Sequence, residues 1–200
     1  MTAALGLLIA YLLGDIPFGY LLVKLTTGRD VRSAGSGNIG ATNVLRTTGR
    51  AAGVATLLLD MGKGCLAVWL EGRLSGQSAA WMSAAALVVM IGHSYPVFLR
   101  FRGGKAMASF VGAYLYLTPL PLAAVLVVFV VIVAWSRHIS LGSIIGAGTF
   151  PLAVWLIEHP PAPVVVAAVL SGALIIYRHR ENIERLHAGT ESAFTFGSRK

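Results

Sequence analysis

Residues 106–136 read AMASFVGAYLYLTPLPLAAVLVVFVVIVAWS, an uncharged apolar run with Thr118-Pro119-Leu120-Pro121 near its middle. Each proline removes a backbone donor and crowds the turn before it. Two of them two residues apart predict a break, so the run reads as two short crossings, 106–117 and 120–136, joined by a tight hairpin. Working outward, further apolar segments lie at 3–25, 51–71, 79–99, 141–157 and 162–178, which makes seven in all.

Charge favours the broken reading. With two crossings in 106–136, the loops at 26–50, 100–105 and 136–140 and the C-terminal tail share one face. Fourteen of the sixteen lysines and arginines then belong to that face. Arg73 stands at the opposite face and Lys63 lies inside a span. One long helix would scatter these charges over both sides. The asymmetry puts the basic face in the cytoplasm and the N-terminus outside. Trp69, Trp81 and Trp155 fall at outer ends and Trp135 at an inner end, as an interfacial aromatic belt requires. The expected fold is an all-α integral membrane protein, a seven-transmembrane-helix bundle with its N-terminus outside, its C-terminus cytoplasmic and some helices short. Residues 1–193 are expected to form one transmembrane domain and 194–200 a loose tail.

Composition agrees. Hydrophobic residues make up 56% of the 200-residue chain and charged residues 12%, with a mean hydropathy of +0.75. A soluble domain carries about 25% charged residues, so no sizeable soluble domain fits here. The first residues lack a basic region and a small-residue cleavage site, and the first segment is expected to be a retained helix. The single cysteine, Cys65, lies in an apolar segment, and no Cys/His cluster has metal spacing, so neither a metal nor a redox cofactor is expected. The net charge of +8 points to anionic ligands and membrane lipids as partners, and no nucleic acid is expected.

Three polar, glycine-rich stretches fall on the basic face. The first is Ser36-Gly37-Asn38-Ile39-Gly40-Ala41-Thr42-Asn43 followed by Arg46, within residues 36–50, SGNIGATNVLRTTGR. The hydroxyls, amides and backbone N–H groups at Asn38, Gly40, Thr42 and Asn43, with a guanidinium close by, suit a phosphate-bearing ligand. The second runs from Gly92 and His93 to Gly103-Gly104-Lys105, where glycines allow close approach of the backbone and Lys105 opens the next apolar segment. The third combines Ser140 and Ser143 with His179, Asn182 and Glu184. Neither of the first two has the GxxxxGK[ST] spacing of a nucleotide-binding loop. Arg46 and Lys105, each set among small polar residues, read as ligand-binding groups. Arg29, Arg50, Arg100, Arg178 and Arg199 read as helix anchors, and His138, His159 and His187 as surface residues.

Inside the second span, Asp60 and Lys63 are three apart and share a helical face, the spacing of a buried pair that holds helices together or, as the alternative, forms a wall of the site. Asp15, before Ile16-Pro17, is expected to bond backbone freed by the proline, with a place facing the site cavity as the alternative. His93 reads as an oriented hydrogen-bonding group. His179 and Asn182 share a face if the last helix continues, which makes His179 a candidate to orient or deprotonate a hydroxyl.

Taken together, these motifs resemble the bacterial acyl-phosphate:glycerol-3-phosphate acyltransferase family, PlsY. The resemblance rests on Ser36-Gly37-Asn38-Ile39-Gly40-Ala41-Thr42-Asn43 with Arg46, on Gly92-His93 through Pro96-Val97-Phe98, Phe101 and Gly103-Gly104-Lys105, and on Asn182-Ile183, Arg185-Leu186 and Gly189-Thr190-Glu191. Asp60-Met61-Gly62-Lys63-Gly64 and Ser140-Leu141-Gly142-Ser143 also fit. The set runs in order over nearly the whole chain. Ile39 departs from it, since the family commonly has proline there, and the change is expected to alter loop stiffness more than chemistry.

The resemblance implies transfer of a fatty acyl group from acyl phosphate to the 1-hydroxyl of sn-glycerol 3-phosphate, the entry step of phospholipid synthesis, with no metal and no thioester donor. It implies that Ser36 and Arg46 are the essential pair of the first motif. Gly103, Gly104 and Lys105 would form a phosphate-binding turn, His179 and Asn182 would hold glycerol phosphate, and Glu191 would support the fold. It also implies a multi-pass protein of the bacterial cytoplasmic (inner) membrane, active at the cytoplasmic face. The physical reading is compatible. The donor's chain prefers lipid and its phosphate prefers cations, and a site at the inner interface serves both ends. The rival from another class is a small anion or lipid-phosphate transporter. It would require a polar path to the outer face, and the loops near 72–78, 118–121 and 158–162 lack comparable motifs.

Overall fold

The computed structural model describes residues 2–194, and every regular element among them is helical. The chain falls into two compact units, one ending at Leu117 and one beginning at Thr118. The boundary is the predicted break. A helix ends at Leu117 and the next starts at Pro119, with proline in its first turn where no intrahelical donor is needed.

The first unit contains α1 (Thr2–Asp15), α2 (Phe18–Thr27), α3 (Ala41–Thr48), α4 (Arg50–Leu74), α5 (Ala79–Ser94) and α6 (Met107–Leu117), with single 3₁₀ turns at Val31–Ser33 and Val97–Leu99. Pro17 divides α1 from α2, yet together they are long and apolar enough to cross a membrane. Helix α4 packs on α6, and α1 on α5. Small residues set the closeness of the α4–α6 contact. A Cβ at Gly64 would meet the Ser109 carbonyl, and one at Gly112 would meet that of Met61.

The second unit contains α7 (Pro119–Ser136), α8 (Ile139–Glu158), α9 (Ala162–Arg178) and α10 (Arg180–His187). Helix α8 packs between α7 and α9, and α10 bends away from α9 by 56°. Of the expected tail, Phe194 is described, and its N–H donates to the Arg137 carbonyl at 2.6 Å. Residues 195–200, with Arg199 and Lys200, lie outside the described residues.

Among the described residues, five helical stretches are long and apolar enough to cross a membrane, or six if α9 and α10 count as one bent span. The remaining expected crossing, 106–117, is the 11-residue α6. At about 1.5 Å per residue it reaches roughly half of a ~30 Å hydrocarbon core. It is short because Thr118-Pro119 stops it at one end and an irregular stretch, residues 100–106, occupies the other. Large apolar side chains on the remaining helices, including Leu58, Val127, Val130 and Leu156, face outward, as lipid requires.

Candidate active site

In the first unit the polar loop between α2 and α4 is built around one amide. Asn43, in the first turn of α3, is 2% exposed. Its Nδ2 donates to the carbonyls of Val31 (3.2 Å), Ala34 (3.1 Å) and Asn38 (2.8 Å), two hydrogens shared among three acceptors. Its Oδ1 accepts the Ser36 N–H at 2.9 Å. Asn38 closes the next turn by accepting the Gly40 N–H at 2.8 Å. The loop's charge is partly spent on itself. Arg32 pairs with Asp30 at 2.7 Å and lies over the Tyr20 ring. Ser36 and Arg46 stand exposed on this scaffold.

Below the loop lies a cluster of Val23, Val31, Ile39, Val44 and Leu99, with Tyr20 and Ala52 packed against it. Ile39 is a buried anchor here, which accounts for an apolar residue at that place in a polar motif. Leu99 belongs to the second motif. One core therefore underlies both the 36–46 loop and the segment leading to Gly103-Gly104-Lys105.

The second motif is pinned to the end of α5. Gly103 N–H donates to the Ser94 carbonyl at 3.2 Å, and Gly104 N–H to that of His93 at 3.0 Å. Tyr11 Oη donates to the Tyr95 carbonyl at 2.8 Å, tying α1 to the same corner. Lys105 follows, half-buried.

Behind this turn lies a buried polar chain. Lys63 Nζ is 2.8 Å from Asp60 Oδ1, and His93 Nδ1 is 3.6 Å from the same oxygen. Lys63 also donates to the Ile16 carbonyl at 2.8 Å, across the proline break. The expectation for Asp15 needs correcting. Its carboxylate is 1% exposed and bonds no backbone group, and Lys63 is the group that serves the break. An ammonium on a four-carbon stem reaches a carbonyl that a short carboxylate next to the break does not, and only the ammonium can donate to it.

In the second unit Glu191 is the hub. Its Oε1 accepts from Ser140 Oγ (2.7 Å) and Asn182 Nδ2 (2.6 Å), and its Oε2 accepts from Arg185 Nε (2.7 Å). Burial alone would raise this carboxyl, but the three hydrogen bonds and the Arg185 charge hold it below its ordinary value. His138, read from sequence as a surface residue, is half-buried with Nε2 3.3 Å from the Glu191 carbonyl. Nothing local signals that contact, because the partners are 53 residues apart. Ser143 Oγ donates to the Ile139 carbonyl within α8.

The last helix does not run straight through His179. The bend falls there, and the backbone N–H of His179 donates to the Ile175 and Ile176 carbonyls at the end of α9. Its Nδ1 is 2.8 Å from the Ile175 carbonyl oxygen. A carbonyl only accepts, so Nδ1 carries the proton of this bond and Nε2 is the basic nitrogen of the neutral ring.

A family model described as glycerol-3-phosphate acyltransferase matches residues 4–189. A protein of that name from Geobacter sulfurreducens is 47% identical over 186 residues, covering 93% of this chain and 94% of the relative. Another, from Desulforamulus reducens, is 44% identical and covers 100% and 98%. Among solved structures, the integral membrane glycerol 3-phosphate acyltransferase PlsY in its glycerol 3-phosphate form superposes with a TM-score of 0.92 at 38% identity, covering 98% of this chain and 96% of that one. Its lysophosphatidic acid form gives 0.89 at 37%, with the same coverage. With its first two motifs over one core and its third gathered on Glu191, this chain belongs to the glycerol-3-phosphate acyltransferase family.

Proposed function

We propose that this membrane enzyme transfers a fatty acyl group from acyl phosphate to the 1-hydroxyl of sn-glycerol 3-phosphate. The observation that carries the reading is the shared core beneath the first two motifs. Leu99 packs with Val31, Ile39 and Val44, which supports reading the Ser36–Arg46 loop and the segment that leads to Lys105 as parts of one site although they come from distant parts of the chain. Two anions must meet in this reaction, and cations held on a common base oppose their repulsion.

In the proposed step the hydroxyl oxygen attacks the acyl carbonyl carbon. The bond from that carbon to the phosphate oxygen breaks, and inorganic phosphate leaves without needing a strong acid. The hydroxyl proton passes to a phosphate oxygen of bound substrate, with His179 Nε2 as the second choice. Arg46 and Lys105 hold phosphate and steady the developing oxyanion. Ser36 acts by hydrogen bonding, because no base stands adjacent to it in the sequence motif. Gly40 and Thr42 line the phosphate groups, the Gly103 and Gly104 N–H groups, spent on the Ser94 and His93 carbonyls, set the turn that carries Lys105, and His179, Asn182 and Ser143 hold glycerol phosphate. Asn38, Asn43 and Ser140, expected from the sequence to bind substrate, shape the two scaffolds together with Glu191 instead, and their side-chain bonds to the loop and to Glu191 support that division of labour.

We also propose seven crossings, with α6 as a short one, the N-terminus outside, and the site at the cytoplasmic face of the bacterial inner membrane. The basic residues at one set of helix ends support this arrangement. The whole chain would then act as a single catalytic domain.

The test is direct. Purified protein receives acyl phosphate and glycerol 3-phosphate, and lysophosphatidic acid and phosphate are expected in equal amounts. Acyl coenzyme A in place of acyl phosphate is expected to yield none. Lack of product from the first mixture, or an acyl adduct on Ser36 in the intact mass, would overturn the scheme.

A further inference from the structure

The segment from Arg100 to Ala106 places its glycines where the backbone does not demand them. Arg100 (φ 53°), Phe101 (φ 62°) and Ala106 (φ 60°) occupy the left-handed region, which a side chain tolerates poorly. Gly103 and Gly104, between them, are not among the positive-φ glycines. Conformational freedom is therefore not why these two positions are glycine. Space is the alternative, and the structure names the occupant. A Cβ on Gly103 would strike the His93 carbonyl, and a Cβ on Gly104 would strike His93 Nε2.

The ring that fills this space is held from behind. His93 is 4% exposed, and its Nδ1 faces Asp60 Oδ1, which the Lys63 ammonium also holds. Lys63 is anchored in turn on the Ile16 carbonyl. The ring thus has the Asp60 carboxylate at its back and presents Nε2 to the Gly104 backbone. The His93 carbonyl meanwhile accepts the Gly104 N–H. A single residue sets both the distance and the direction of the turn that ends in Lys105.

We propose that His93 is the positioning residue of the Lys105 turn, and that Gly104 is glycine to clear the His93 ring rather than to admit a phosphate. The proposal rests on the reading of Lys105 as a phosphate-binding group. It joins the buried Asp60–Lys63 pair to the site as the support for that ring.

The test is a double-mutant cycle with Gly104→Ala, His93→Asn and the pair together. Asparagine keeps an amide for Asp60 and lacks the half of the ring that faces Gly104. For Gly104→Ala the KM for the phosphate-bearing substrates is expected to rise about tenfold or more, with kcat within about twofold of the parent. The double variant is expected to recover to within about threefold of His93→Asn alone. If the double variant is as poor as Gly104→Ala, the glycine serves the ligand and the proposal is overturned. A Gly104→Ala enzyme with unchanged KM overturns it equally. Should Gly104→Ala fail to accumulate in the membrane, recovery of the double variant supports the proposal and failure of both sinks it. Lys105→Met separates the two layers. An unchanged KM there would refute the phosphate reading, while thermal unfolding midpoints of the cycle would still report whether residues 93 and 104 are coupled.

Discussion

Asn43 Oδ1 accepts the backbone N–H of Ser36 across seven residues at 2.9 Å, and the same amide's nitrogen holds three carbonyls of the surrounding loop. Ser36 therefore owes its place to a buried side chain that does not need to touch substrate. Each buried hydrogen bond left unmade costs about 1–3 kcal/mol. Asn43→Ala is expected to lower turnover by about tenfold or more, since 1.4 kcal/mol is a factor of ten. Asn43→Asp keeps the acceptor for Ser36 but loses both donor hydrogens, and is expected to fall nearly as far. The thermal midpoint should fall as well, because α3 packs on α4 and the core beneath the loop includes Leu99 and Ala52. Wild-type turnover in Asn43→Ala would remove Asn43 from this role.

Lys63 and Asp60 are each about 2% exposed at the side chain and 2.8 Å apart. Removing one partner strands a buried charge, at a cost of about 3–5 kcal/mol. Lys63→Met is expected to lower the unfolding midpoint in detergent sharply. Lys63→Met with Asp60→Asn should be more stable than Lys63→Met alone, because the charge goes with its partner. Additive losses would show that the two residues act separately.

Glu191 has its folded pKa depressed by Ser140, Asn182 and Arg185 acting against burial. The sign follows from linkage. A depressed carboxyl contributes stability that is present above its unfolded pKa, about 4.3, and is lost as pH falls through the lower folded value. Hydrogen-exchange protection of α10 should therefore be level from neutral pH down toward that unfolded value and decline below it. Glu191→Gln should lower protection at neutral pH and remove the acid limb. An acid limb unchanged in Glu191→Gln would assign it to another group.

His179 has its Nδ1 committed to the Ile175 carbonyl. If substrate phosphate takes the proton, His179→Ala should raise the KM for glycerol 3-phosphate and keep most of kcat. A fall in kcat by about 10²–10⁴, the usual worth of a general base, would make His179 the acceptor instead. Steady-state kinetics over both substrates separates the outcomes.

Hydropathy and proline placement made the helical membrane class and the break at Thr118-Pro119 readable, because lipid forces apolar stretches into helices whatever their neighbours are. The three-residue spacing of Asp60 and Lys63 likewise carried their pairing, since a helix brings such positions onto one face. The rest needed tertiary contacts. The sequence does not say that Lys63 rather than Asp15 serves the Pro17 break, or that Leu99 packs under Ile39. It does not say that Ser140, Asn182 and Arg185 spend hydrogen bonds on Glu191, or that the His93 ring occupies the space beside Gly104. These are meetings between distant residues. Local pattern determines which segments become helices, whereas their packing and close approach decide which polar groups are used up inside the protein and which are presented for chemistry.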